Sequence, residues 1–200
     1  MDFCTIADIE AFLQITIPPA GLASANKAID WATEAIKNYC HQVIERVTND
    51  VITLDCRGGT IKVFLPELPV VSVGAVVEDG TALVVTDDYK LGQHGILYRV
   101  DNEWPEGIQI IWVTYTHGYA VIPDDIVGVC ARAASRAYQA GLSAAAVAGV
   151  IGVTGLTLGD YSVQYGGAGA AVEGLMGASG ARMLLMSEKD ILNRYRYIAQ

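Results

Sequence analysis

The chain has 200 residues, 52% of them hydrophobic and 18% charged, which suffices for one sizeable buried core and excludes wholesale disorder. Its 22 acidic and 13 basic residues give a net charge of -9, with a pI near 4.7. That balance excludes a general nucleic-acid binder, because DNA affinity comes largely from Lys and Arg that release counterions.

The opening MDFCTIADIE has neither a basic n-region nor an apolar h-region, so no secretory signal is expected and synthesis belongs in a reducing cytoplasm. Thr5 is placed to cap a short helix through Leu13, with Asp8 as an imperfect capping box and Ile6, Ile9 and Leu13 on one face. Pro18 and Pro19 break that helix. From Ala20, the residues Leu22, Ala25, Ile29, Ala32, Ile36 and Tyr39 recur at three and four, predicting an amphipathic helix of about five turns that packs on the helix after Pro123.

A β-rich lobe follows, with strands expected at Val51 to Leu54, Thr60 to Leu65, Val70 to Glu78, Thr81 to Val85 and Ile96 to Val100. RGG, EDG and QHG supply turns where φ can be positive. From Glu78 to Glu106 there are seven acidic and two basic residues, so the loops here form a negative, solvated face. Next, Ile108, Ile110, Trp112 and Thr114 alternate with Gln109, Ile111, Val113 and Tyr115, predicting a mostly buried strand that Thr116, His117 and Gly118 end. Pro123 suits a first helical position, and Asp124 and Asp125 place negative charge on the helix N-terminus. Ile126, Val129, Cys130, Ala133 and Ala137 form the apolar stripe of this helix. Small residues beside the stripe, Ala131, Ala134 and Ser135, suit close approach of a second helix and are expected to serve subunit packing.

Between Gly141 and Gly180 lie 11 of the 21 glycines, and Ala137 to Gly159 carries no charge. Gly, Ala, Ser and Thr dominate there, whereas a spanning helix needs about 20 strongly apolar residues, so no membrane insertion is expected. Glycine at this density costs conformational entropy in any regular element, predicting an arm that orders only against a partner. Within it Leu156 to Tyr165 alternates as a strand, and Tyr161, Val163 and Tyr165 are expected to pair with an adjacent subunit. At the C-terminus, Ser187 and Asp190 read as a capping box, and Ile191, Leu192, Tyr195 and Ile198 as an apolar stripe. Residues 182–200 hold four basic and two acidic side chains, net +2, in an otherwise acidic chain. Two readings stand for this terminal helix: packing on its own core, or docking on another protein through Ile191, Arg194, Tyr195, Arg196, Tyr197 and Ile198.

The search for chemistry is nearly empty. Cys4, Cys40, Cys56 and Cys130 show no C-x-x-C pair and no zinc spacing, which predicts buried free thiols and neither metal nor disulfide framework. His117 and Cys130 are the one conceivable thiol–imidazole pair, but Cys130 falls on the apolar stripe of its helix, and His117 reads as a turn residue bonded to local backbone. His41 and His94 suggest nothing. The pairs Gly58–Gly59 and Gly166–Gly167 lack the Lys and Ser/Thr of a phosphate cradle. No catalytic residue, cofactor or metal is expected, and a small thiol hydrolase using Cys130 and His117 is the enzyme alternative.

The strand, THGY turn, PDDI helix start and Ala-rich helix of IQIIWVTYTHGYAVIPDDIVGVCARAASRAY resemble the head-tail connector (adaptor) proteins of long-tailed bacteriophages. TIADIEAFL with its Pro-Pro break and the helix ending NYCHQVIERV resemble that family's opening helix pair; GDYSVQY and SEKDILNRYRY resemble its closing strand and last helix. AVEGLMGASGARMLLM departs from the pattern in length and glycine content. The resemblance implies a virion structural protein at the head–tail junction, assembled in the host cytoplasm. It further implies a homo-oligomeric ring, commonly a dodecamer, that docks on the portal protein through the C-terminal region. Such a ring extends a channel through which genome DNA passes without specific binding and carries stopper or tail proteins. The alternative in the same class is another ring-forming virion protein, for head completion or tail termination. The expected fold is α+β: a helical body over residues 1–140 with an inserted β lobe at about 50–116, a Gly-rich arm over 141–186, and a docking helix over 187–200.

Overall fold

Thr5 opens α1 (Ile6–Leu13) with a complete capping box: the Asp8 amide donates to the Thr5 hydroxyl at 3.4 Å, and the Asp8 carboxylate accepts the Thr5 amide at 2.7 Å. After the prolines, a 3-10 turn at Pro19–Gly21 leads into α2 (Leu22–Cys40). Ala25, Ala28, Ile29, Ala32, Thr33 and Ile36 make its buried stripe, while Leu22 at its first position stays exposed. Pro123 directly precedes α3 (Asp124–Ala148), and Asp124 and Asp125 occupy its first turn as expected. The computed structural model describes residues 1–148, 155–158, 161–164 and 183–196. Its helices and antiparallel sheets make the α+β fold that the sequence predicts.

The chain forms two compact units. Unit 1 contains Met1–Tyr39 and Asp124–Leu192, and unit 2 contains Cys40–Pro123 and Asn193–Gln200. In unit 1, α1 lies against α3, and Thr33 of α2 approaches Cys130 of α3 at 3.7 Å. α3 runs eight residues further than the predicted start of the arm, because the Ala-rich stretch from Leu142 outweighs the single helix-weakening Gly141. The single strand expected from Leu156 to Tyr165 is instead two short strands, β8 (Gly155–Leu158) and β9 (Tyr161–Gln164), paired antiparallel with Leu156 opposite Val163. The last helix of unit 1 is α4 (Met186–Leu192).

Unit 2 holds the seven remaining strands, β1 (Val47–Thr60), β2 (Lys62–Phe64), β3 (Val70–Glu78), β4 (Thr81–Leu83), β5 (Tyr89–Leu91), β6 (Ile96–Arg99) and β7 (Trp104–His117). They form a four-stranded sheet in the order β1-β7-β3-β4 and a three-stranded sheet in the order β2-β6-β5. One apolar core serves both sheets, with Val63, Leu65 and Leu97 meeting Val76, Ile111, Val113 and Tyr115. β7 is buried on one face only: Ile111, Val113 and Tyr115 point into the core, while Ile108 and Trp112 are exposed. The strand is thus less buried than the mostly buried one predicted, since Ile108 and Trp112 on its second face stay exposed. The turn at Asp79–Gly80, where both residues have positive φ, joins β3 to β4 as a tight hairpin. Gly58 and Gly59 also take positive φ, yet they lie within β1, at a register shift between Arg57 and Thr60. A bulge, rather than the predicted turn, uses their freedom.

Candidate functional site

The THGY segment is built by backbone pairing. The Gly118 amide donates to the Pro69 carbonyl at 2.9 Å, the Tyr119 amide to the Ile44 carbonyl at 2.9 Å, and the Arg46 amide to the Tyr119 carbonyl at 3.0 Å. Gly118 has φ of 81°, and a Cβ there would land on the backbone of Glu45, so only glycine fits this corner. The corner presents Tyr119 beside the C-terminal segment of unit 2, where Asn193–Tyr195 form a 3-10 turn. The Tyr195 ring meets the Tyr119 ring edge-on at 6.0 Å. Gln42 clamps the same place: its amide nitrogen donates to the Tyr195 carbonyl, and its amide oxygen accepts the Leu68 amide at 3.2 Å.

Around this clamp is a cavity of about 380 Å³, lined by Leu68, Pro69 and Leu91 on its apolar side and by Gln42, Gln93, His94, Tyr119, Arg194 and Arg196 on its polar side. Arg194 and Arg196 are exposed and Tyr195 is half-buried. Two guanidinium groups next to aromatic rings and amides suit the recognition of carboxylate-bearing or aromatic protein surfaces. Among the predicted docking residues, Arg194, Tyr195 and Arg196 therefore share one surface of unit 2. Ile191 belongs to α4 in unit 1 and is half-buried, and Tyr197 and Ile198 lie outside the described residues.

α4 itself belongs to the body. Glu188 is buried and forms a two-pronged ion pair with Arg136 of α3, both contacts at 2.7 Å, and Leu192 is fully buried. The predicted Ser187–Asp190 capping box is replaced by a contact two residues earlier. The helix starts at Met186, and the Glu188 carboxylate reaches back to the Leu185 amide at 2.8 Å. One of the same two guanidinium nitrogens, Nη2, also donates to the Met183 carbonyl at 3.0 Å, tying down the approach to the helix.

The predicted subunit-packing residues divide in the same way. Ala131, Ala134 and Ser135 are buried within the chain, so they are not available to a neighbouring subunit; small side chains here serve the chain's own packing. Tyr161 and Val163 lie on β9, and Tyr165 lies outside the described residues.

His117 is not a turn residue. It ends β7, is buried, stacks on Tyr115 at 4.8 Å and places Nε2 3.2 Å from the Asp50 carboxylate of β1. Glu67 is nearby: burial raises its carboxyl above the usual range, against the opposing pull of the Val43 amide, which it accepts at 2.7 Å, and of His117. Burial likewise raises the Tyr115 hydroxyl. Cys130 has Cys4 and Thr33 as its partners. All four cysteines are buried and free, as predicted. Among the described residues, no group of three or more His, Cys, Asp or Glu could hold a metal ion, and no helix is long and apolar enough to cross a membrane. Sequence reasoning missed Gln42, Tyr119 and Arg136, since each acts through a partner far away in the chain.

The family model described as head completion protein matches residues 2–132. No curated protein matches. Among solved structures, a chain from the "Virion of native gene transfer agent (GTA) particle" is similar at 16% identity, with 90% of this chain and 78% of that chain covered and a TM-score of 0.41.

Proposed function

From the premise that this chain belongs to the head completion protein family, a family of structural phage proteins, we propose that it is the ring-forming connector subunit at the head–tail junction. It is a structural component of the phage virion. In this reading the subunits close into a ring, commonly a dodecamer, that docks on the portal, extends the DNA channel and offers stopper or tail proteins a platform.

The observation that carries the docking part is the exposed pair Arg194 and Arg196 on either side of Tyr195, in the net-positive end of a chain with net charge -9. Arg and Tyr are the residues that most often dominate interface energetics. The docking element is accordingly the segment after Leu192, and α4, held by its buried Glu188 and Leu192, is its anchor. Acidic loops between Glu78 and Glu106 suit a channel wall, because repulsion leaves a polyanion free to slide. Arg99 neutralises part of this acidity within unit 2: its guanidinium lies 3.4 Å from Glu78 and 3.6 Å from Asp88 and packs over Trp104. Neighbouring subunits pair through the Gly-rich segment bearing Tyr161, Val163 and Tyr165, since among the described residues its sheet has two strands and so an outer edge on β8 and on β9. Native mass measurement of the protein alone and mixed with its portal tests the reading. It predicts a closed oligomer bound to portal; a monomer indifferent to portal sinks it.

A further inference from the structure

Cys4 and Cys130 are 126 residues apart in sequence, yet their sulfurs approach to 2.9 Å. Cys4 directly precedes Thr5, the cap of α1, and Cys130 lies on the buried stripe of α3 with the Thr33 hydroxyl 3.7 Å away. Both thiols are buried. A disulfide closes at roughly 2.05 Å between sulfurs, so bond formation asks for less than about 1 Å of movement.

We propose that Cys4 and Cys130 form an oxidation site, reduced while the particle assembles in the cytoplasm and joined as a disulfide when the released virion meets peroxide. Reducing cytoplasm and oxidising exterior are the two compartments that decide thiol state. The reading depends on the virion assignment only for its timing; the chemistry depends on the sulfur pair alone. The hydrogen bond from Cys4, which stabilises a thiolate on Cys130, lowers the Cys130 thiol, and the same bond together with burial raises the Cys4 thiol. Cys4 donates to the Cys130 sulfur, and the Thr33 hydroxyl stands within hydrogen-bond reach of that same sulfur, so the thiolate is stabilised on Cys130, which is the nucleophile, and Cys4 is the resolving thiol. The Cys130 thiolate attacks one oxygen of hydrogen peroxide and breaks the O–O bond. Cys130 becomes a sulfenic acid, and the departing hydroxide takes up the proton Cys130 had lost, leaving as water. The Cys4 sulfur then attacks the Cys130 sulfur: the S–S bond forms, the S–O bond breaks, and the hydroxyl leaves with the Cys4 proton as a second water. Two thiols are oxidised and one peroxide is reduced.

Asp2 and Thr5 on either side of the buried Phe3–Cys4 pair are exposed, so local opening of this edge of unit 1 gives peroxide its route. The bond would tie the start of the chain to α3 and close a long loop in the unfolded state, raising the thermal midpoint by about 5–10 °C.

The test uses the full chain, purified reduced, exposed to hydrogen peroxide while folded, thiol-blocked and mapped by mass spectrometry. The expected product is the Cys4 peptide joined to the Cys130 peptide, with the loss of two hydrogens per chain, a raised thermal midpoint, and reversal by dithiothreitol. Cys4→Ser should leave Cys130 as a trapped sulfenic acid, and the double variant Cys40→Ser with Cys56→Ser should still form the link. Absence of the Cys4–Cys130 peptide from oxidised wild-type protein overturns the proposal, as does linkage of Cys40 or Cys56 at comparable yield. The wild-type map decides even if the Cys4 variant does not fold.

Discussion

Glu188→Gln removes the charge that holds α4 to α3 while keeping the side chain's shape. Glu188 accepts three hydrogen bonds, two from Arg136 at 2.7 Å each and one from the Leu185 amide at 2.8 Å, and its side chain is 3% exposed. Breaking a buried ion pair by removing one partner costs about 3–5 kcal/mol. The Arg136 side chain, however, is 35% exposed and regains water when its partner is lost. The Leu185 contact survives with the remaining amide oxygen. These corrections bring the loss to about 2–3 kcal/mol. For a chain of this size that corresponds to a fall of about 5–10 °C in thermal midpoint, read by circular dichroism. A double variant, Arg136→Met with Glu188→Met, should recover much of it, because no stranded charge remains. A midpoint unchanged within about 1 °C in Glu188→Gln would refute the assignment of α4 to the body.

Gly118→Ala should destabilise unit 2 by about 2–4 kcal/mol, from positive φ plus the clash with Glu45, and denaturant titration measures it. Glu67→Gln should stabilise the protein near neutral pH. The folded carboxyl titrates above its unfolded value, so the native state binds the proton more tightly and stability falls as pH rises from the ordinary carboxylate range through the raised folded value. The advantage of Gln should therefore vanish on acidification, and thermal scans across pH follow it. With net charge -9 per subunit, the isolated protein should show no duplex DNA binding at physiological salt; salt-sensitive, sub-micromolar binding in a mobility-shift assay would contradict that.

Local signals were readable in the sequence and long-range ones were not. Thr5 with Asp8, and Pro123 with Asp124 and Asp125, mark helix starts by contacts within a single turn, and both starts lie where the residues indicate. The alternation along β7 separated Ile111, Val113 and Tyr115 from Ile108 and Trp112 for the same reason, while which set faces the core is decided by packing against strands distant in sequence. β5, only three residues long, carries too little pattern to be seen, and its place is set by pairing with β6. The end of α4 misled because its apolar stripe continues in sequence while the helix stops at Leu192, where the chain passes into the Gln42 clamp. His117 looked like turn chemistry because its partner, Asp50, is 67 residues away. The small residues Ala131, Ala134 and Ser135 announce close packing without saying whose, and burial within the chain answers that question.

The central claim is that the segment after Leu192 is the portal-docking element of a virion ring subunit. Its most direct test is a truncation at Leu192, which keeps α4, Glu188 and Arg136 intact and removes Arg194, Tyr195 and Arg196, assayed with the full chain for portal association by native mass measurement. The account predicts that the full chain binds portal, and that the truncated chain keeps the thermal midpoint of the Arg136–Glu188-anchored body and no longer binds. Undiminished portal binding by the truncated, folded chain would contradict it.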